Sequence, residues 1–140
     1  MKEELHICIC ASKDNFGAYS ENCQGIFGAG NTVEDSKKDV LKSIEEIKSY
    51  MPREEWPAPL RGEYEIVWEY DVQSLLCHYG VIMSLSGLER VTGIHQKQLW
   101  AYMHGRSVPR PKQREKIETA LNSFGKELSA VRVYKQKTGV

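Results

Sequence analysis

The chain has 140 residues, 41% apolar and 27% charged, a balance that suits a soluble globular protein of one compact domain or two small ones. No apolar run approaches the roughly 20 residues of a membrane helix, and the opening MKEELHICIC has no secretory pattern, so a cytoplasmic protein without membrane contact is expected. Net charge is zero but unevenly placed: residues 1–70 hold 8 Lys+Arg and 14 Asp+Glu, a balance of −6, and residues 71–140 hold 11 and 5, a balance of +6.

That split predicts two units with different partners. A basic half suits a polyanion, because binding releases condensed counterions. An acidic half suits a basic protein and is repelled by nucleic acid. The four cysteines, Cys8, Cys10, Cys23 and Cys77, include no CxxC pair, so they read as free, part-buried thiols in a reducing compartment rather than a zinc cluster. Neither a metal nor a cofactor is expected.

In chain order, Glu4–Ser12 alternates Leu5, Ile7, Ile9 and Ala11 with His6, Cys8, Cys10 and Ser12, the period of two of a strand. Lys13-Asp14-Asn15 is a turn, and Phe16–Cys23 alternates again as an antiparallel partner. Gly25–Gly30 (GIFGAG) can form a short third strand. It matches neither GxxxxGK[ST] nor GxGxxG, so its glycines serve strand and turn rather than a phosphate loop. Thr32 is a good N-cap for a helix whose Val33, Val40, Ile44, Ile47 and Met51 form one apolar stripe, with Glu34 and Asp35 at its positive end. Met51–Gly62 holds three prolines and is a loop, with Trp56 packed over the core edge. Glu63–Tyr70 is a strand rich in aromatic and β-branched residues.

In the second half, Asp71 caps a helix running to Tyr79, with Val72, Leu75, Leu76 and Tyr79 on its apolar face. Cys77-His78 has no second ligand pair at zinc spacing. Ser84–Thr92 is a second helix on Leu85, Leu88 and Val91, and Gly93 stands where a tight turn needs positive φ. Ile94 begins a third pattern, with Leu99, Tyr102 and Met103 on one side and Gly105 as its stop. Two short helices about a glycine turn are the helix-turn-helix arrangement. Gln96, Lys97, Trp100 and His104 lie on the outer face of the second of them. Pro111 opens a further helix with the stripe Ile117, Leu121, Phe124 and Leu128, and Ala130–Tyr134 can form a short strand that pairs with a partner chain or packs locally.

Two resemblances follow from these residues. The segment Gly93–Pro109, read as G-I-x-x-x-x-L-x-x-Y-x-x-G-x-x-x-P, resembles the lambda-repressor-like helix-turn-helix family, with Glu89 where that family usually has a small residue and His95 at the N-cap. Residues 4 to about 70 resemble the HicB antitoxin domain, a small partial ribonuclease-H-like fold. The match is carried by the opening strand pair, by F-x-A-Y-S-E-N-C-Q-G and by G-N-T-V-E-D-S entering the helix. The family's Pro-Asp before the glycine is replaced by Asn22-Cys23-Gln24-Gly25.

The expected fold class is α+β. Residues 1–70 form a β-β-β-α-β HicB-like antitoxin domain, and residues 71–140 an all-α helix-turn-helix DNA-binding domain. The resemblance implies a non-enzymatic regulator that represses its own operon and neutralises a basic HicA-type ribonuclease toxin. Gln96 and Lys97 are the expected base-reading residues, with Gln98 and Trp100 beside them. Trp100 either meets a thymine methyl or belongs to the core. Arg106, Arg110 and Lys112 are expected on phosphate. The partners are double-stranded operator DNA, the toxin, and a second copy in a homodimer or pair of dimers. The alternatives are an interaction module that does not bind DNA, and a ribonuclease-H-like nuclease. The nuclease needs clustered carboxylates for Mg²⁺, and the opening strand offers none between Leu5 and Ser12.

Overall fold

The computed structural model describes residues 2–137 and has an α+β architecture. Strands β1 (Glu3–Ala11), β2 (Phe16–Ser20), β3 (Phe27–Gly30) and β4 (Tyr64–Tyr70) form one mixed sheet in the order β3-β2-β1-β4. β2 pairs antiparallel with β1 and with β3. β4 lies parallel to β1, Leu5 opposite Ile66 and Ile7 opposite Trp68. A parallel return needs a crossover, and helix α1 (Val33–Tyr50) provides it.

The alternation in β1 decides which face of the sheet is covered. Leu5, Ile7 and Ile9 are fully buried and pack with Val33, Val40 and Ile44 of α1 in one cluster. Thr32 caps α1 by accepting from the Asp35 amide at 3.0 Å. Ser36 also lies on the buried stripe, its hydroxyl donating to the Phe16 carbonyl at 2.9 Å. Met51, expected on the stripe, is instead the exposed C-cap. The glycines of β3 are set by the helix: a Cβ on Gly28 would lie 2.7 Å from the Ser36 carbonyl oxygen, and one on Gly30 would lie 2.5 Å from the Asp35 Cβ. Backbone meets backbone here, so the glycine-rich stretch is a packing feature.

β2 ends at Ser20, three residues before the alternation suggested, and β3 begins at Phe27 rather than Gly25. Asn22 explains the early end. Its side-chain amide donates to the Glu4 carbonyl at 2.7 Å, and its Oδ1 accepts from the His6 amide at 3.1 Å. The side chain thus satisfies β1 where a strand would have continued, and Gly25, at φ +88°, turns the chain. The proline loop contains two short 3-10 turns, Arg53–Glu55 and Ala58–Arg61. Trp56 is half-buried at the core edge, its indole N–H donating to the Met51 carbonyl at 2.9 Å.

Helices α2 (Val72–Tyr79), α3 (Leu85–Thr92), α4 (Gln96–Met103) and α5 (Pro111–Ser129) have a core of their own, built from Val72, Leu76, Leu88, Ile94, Leu99, Tyr102 and Ile117. No linker separates the two cores. Asp71 follows β4 directly and caps α2 by accepting from the Ser74 amide at 2.7 Å. The fully buried Ser74 hydroxyl in turn accepts from the Ala11 amide at 2.6 Å, tying α2 to the end of β1. Residues 131–137 form no strand, and residues 138–140 lie outside the described residues. The expected short strand Ala130–Tyr134 is therefore not formed within one chain, whose helical half has no strand among the described residues to pair with it. Among the described residues, no helix is long and apolar enough to cross a membrane.

Candidate nucleic-acid interface and acidic sheet face

The turn between α3 and α4 is fixed from inside. Gly93 has φ +75° and closes α3, its amide donating to the Glu89 carbonyl. The buried Thr92 hydroxyl donates to the Leu88 carbonyl at 2.8 Å and accepts from the Ile94 amide at 3.2 Å. Ile94 and Leu99 then enter the core, which fixes the rotation of α4 about its axis.

The start of α4 is capped from two sides. The Glu89 carboxylate accepts from the Gln96 amide at 2.8 Å, and His95 Nδ1 accepts from the Lys97 amide at 3.1 Å. Glu89 therefore supplies a capping anion for α4 from the preceding helix. Its role had a signal in the sequence: a carboxylate seven residues before a helix start that lacks Ser, Thr, Asn or Asp. With both amides engaged, the Gln96 and Lys97 side chains, which are exposed, are the groups free to reach a ligand.

At the other end of α4 three residues come together. Trp100 is 40% exposed and stands outside the core. The His104 ring stacks on it at 4.2 Å, and the Arg106 guanidinium lies 5.5 Å from the Trp100 ring. A cation held over an indole face keeps its charge but loses freedom, so the Arg106 charge is kept at this end of α4. Arg110 and Lys112 are exposed about the start of α5. Gln98 is half-buried, its amide 3.5 Å from the Ser107 hydroxyl, and faces the following loop. Lys116 of α5 lies close to the Gly93 turn, its ammonium nitrogen 3.7 Å from where a Cβ on Gly93 would sit.

The face of the sheet away from α1 has a different character. The strand register places Glu4, His6, Cys8 and Cys10 of β1 beside Tyr19 of β2 and Glu65, Val67 and Glu69 of β4, with Phe27 across from Tyr19. Phe27 is 66% exposed. The four strands contain no Lys or Arg, whereas α1 carries Lys37, Lys38, Lys42 and Lys48. Because α1 also carries Glu34, Asp35, Asp39, Glu45 and Glu46, the helix is itself close to neutral, and the sheet face differs from it in carrying no Lys or Arg. Burial, with help from Glu21, pushes the Cys8 thiol up to about 11, the reverse of what a nucleophilic cysteine requires. Among the described residues, no three His, Cys, Asp or Glu are placed to hold a metal ion.

His6 bridges the strands on this face. Its Nδ1 meets the Glu69 carboxylate, and its Nε2 lies 3.4 Å from Glu4. The hydrogen bond to Glu69 is the main cause that holds the His6 pKa above its ordinary value. A raised histidine pKa means that this contact is fully present below the unfolded-state value and is lost as pH rises through the folded-state value. Ring-proton NMR should give a His6 midpoint above about 6.5, and Glu69→Gln should move it back towards that value. Equal midpoints in the two proteins would remove the bridge.

Comparisons of the chain with protein-family models, with curated proteins and with solved structures find no match.

Proposed function

We propose that this chain is a DNA-binding transcriptional regulator of the HicB antitoxin type, acting in the cytoplasm without catalysis of its own. Its helical half represses the operon that encodes it, and its sheet half, a HicB-like domain, neutralises a small basic ribonuclease of the HicA type. The observation that carries the reading is α4. This helix is capped from behind and locked in rotation by Leu99, with Gln96 and Lys97 exposed at one end and Arg106 held over Trp100 at the other. A helix with amide and cationic side chains near its start, followed by cations at its end, suits a major groove with phosphates beyond it. The sheet face of carboxylates and exposed aromatic rings supports the second activity, because it suits a basic protein surface.

Two copies related by a two-fold axis are the expected DNA-binding form, reading half-sites about one helical turn apart. Binding of the purified protein to its own upstream DNA, followed by fluorescence anisotropy at several salt concentrations, tests the reading. With Arg106, Arg110 and Lys112 on phosphate in both copies, the slope of log K against log salt should be about −5. Absence of specific binding at low salt would overturn repression and leave a protein-interaction role for the acidic half.

A further inference from the structure

Helix α5 is longer than its own core requires. Of the stripe Ile117, Leu121, Phe124 and Leu128, only Ile117 is fully buried; Leu121 and Phe124 are half-buried, and Leu128 is 54% exposed. The exposure continues past the helix end, with Val131, Val133 and Tyr134 all exposed. Four of the eight large apolar side chains exposed in residues 71–137 therefore fall within the short segment Leu128–Tyr134. Most of the backbone of this segment is unpartnered too, although the Val131 carbonyl accepts from the Arg132 guanidinium at 3.1 Å. Val131 donates to the Leu128 carbonyl, and from Arg132 to Lys137 no amide donates to the backbone of another described residue.

We propose that the second half of α5 and the tail Val131–Tyr134 form the contact surface for a second copy of this chain, the tails pairing antiparallel across a two-fold axis. Unpaired donors and acceptors on a segment of apolar side chains are the makings of an edge strand. Paired with itself about a two-fold axis, such a segment satisfies both copies by the same contacts and closes the assembly at two. Area agrees with that occupant. An aromatic side chain such as Tyr134 carries about 150–250 Å². With Leu128, Val131, Val133 and the open side of Phe124, each copy offers a sizeable part of the roughly 800 Å² that a stable interface takes from each partner. The surface contains no residue of α4, so pairing through it leaves both reading helices free. The inference rests on the proposed DNA-binding reading only for the use that is made of the dimer.

Sedimentation velocity of the full chain, beside a Val133→Asp/Tyr134→Asp variant, tests the contact. Neither residue belongs to either core, so the variant should keep the wild-type far-ultraviolet circular dichroism. The wild type should sediment as a dimer, and the variant should dissociate with an affinity lower by about tenfold for each buried side chain lost. A monomeric wild type, or a variant that dimerises as well as the wild type, would overturn the proposal. The two readings fail separately: a dimer lost in the variant, from a protein that binds no DNA, keeps this surface and removes the repressor.

Discussion

Gly28→Val should unfold the sheet half or lower its thermal midpoint by on the order of 10–20 °C. The argument starts from two backbones. β3 lies so close to α1 that a bare Cβ on Gly28 would sit 2.7 Å from the Ser36 carbonyl oxygen and 2.8 Å from the Val40 amide nitrogen. Neither atom can move without breaking the first turns of a helix whose Val33, Ser36 and Val40 are already buried. Overpacking a core costs about 1–3 kcal/mol when side chains can give way, and here the obstacle is main chain, so the upper end or beyond is expected. Each kcal/mol shifts the midpoint of a domain this small by about 4–8 °C. Gly17 is the internal control: it lies on the neighbouring strand with nothing within 4 Å of its added Cβ, so Gly17→Val should be mild. Thermal unfolding followed by circular dichroism separates the two. Equal midpoints would mean that β3 and α1 are not packed backbone to backbone.

Gly28 also shows what the sequence made legible. The absence of either phosphate-loop motif points to strand and turn glycines, but it cannot say why glycine is required. The reason is a contact between residues eight and twelve positions apart on different elements, and local patterning carries no record of such distances. The same division holds elsewhere. The period of two in β1, the caps Thr32 and Asp71, and the positive φ of Gly93 are local properties, and each appears where the residues place it. Alternation places the end of β2 too late because Asn22 competes for the β1 backbone with its side chain, a long-range bond that alternation cannot reveal. The tail Ala130–Tyr134 has the residues of a short strand, but a strand needs an edge, and within one chain the described residues of that half offer none. At the candidate site, exposure of Gln96 and Lys97 followed from helical phase. The cap from Glu89 and the stacking of Arg106 over Trp100 did not, since both depend on how the turn folds back.

The largest effect on binding is expected from Gln96→Ala/Lys97→Ala, which should weaken operator binding by about 30-fold to 10⁴-fold. Each good base contact contributes about 1–3 kcal/mol, and 1.4 kcal/mol is a factor of ten. The substitution isolates recognition from folding. Both side chains are exposed, and the bonds that hold the start of α4 use the backbone amides of these residues, which alanine retains. Alanine also has the best helix propensity, so the folded state loses nothing local. Arg106→Ala provides the contrast. Removing a phosphate contact should weaken binding evenly across DNA sequences and reduce the salt slope by about 1 for each copy, whereas the double substitution should leave the slope nearly unchanged and erase the preference for operator over unrelated DNA. Anisotropy on both duplexes at several salt concentrations distinguishes the two. If the double variant kept its preference for operator, the start of α4 would not be the reading element. The cluster of Trp100, His104 and Arg106 at the other end of the helix would then be the place to look for base contact.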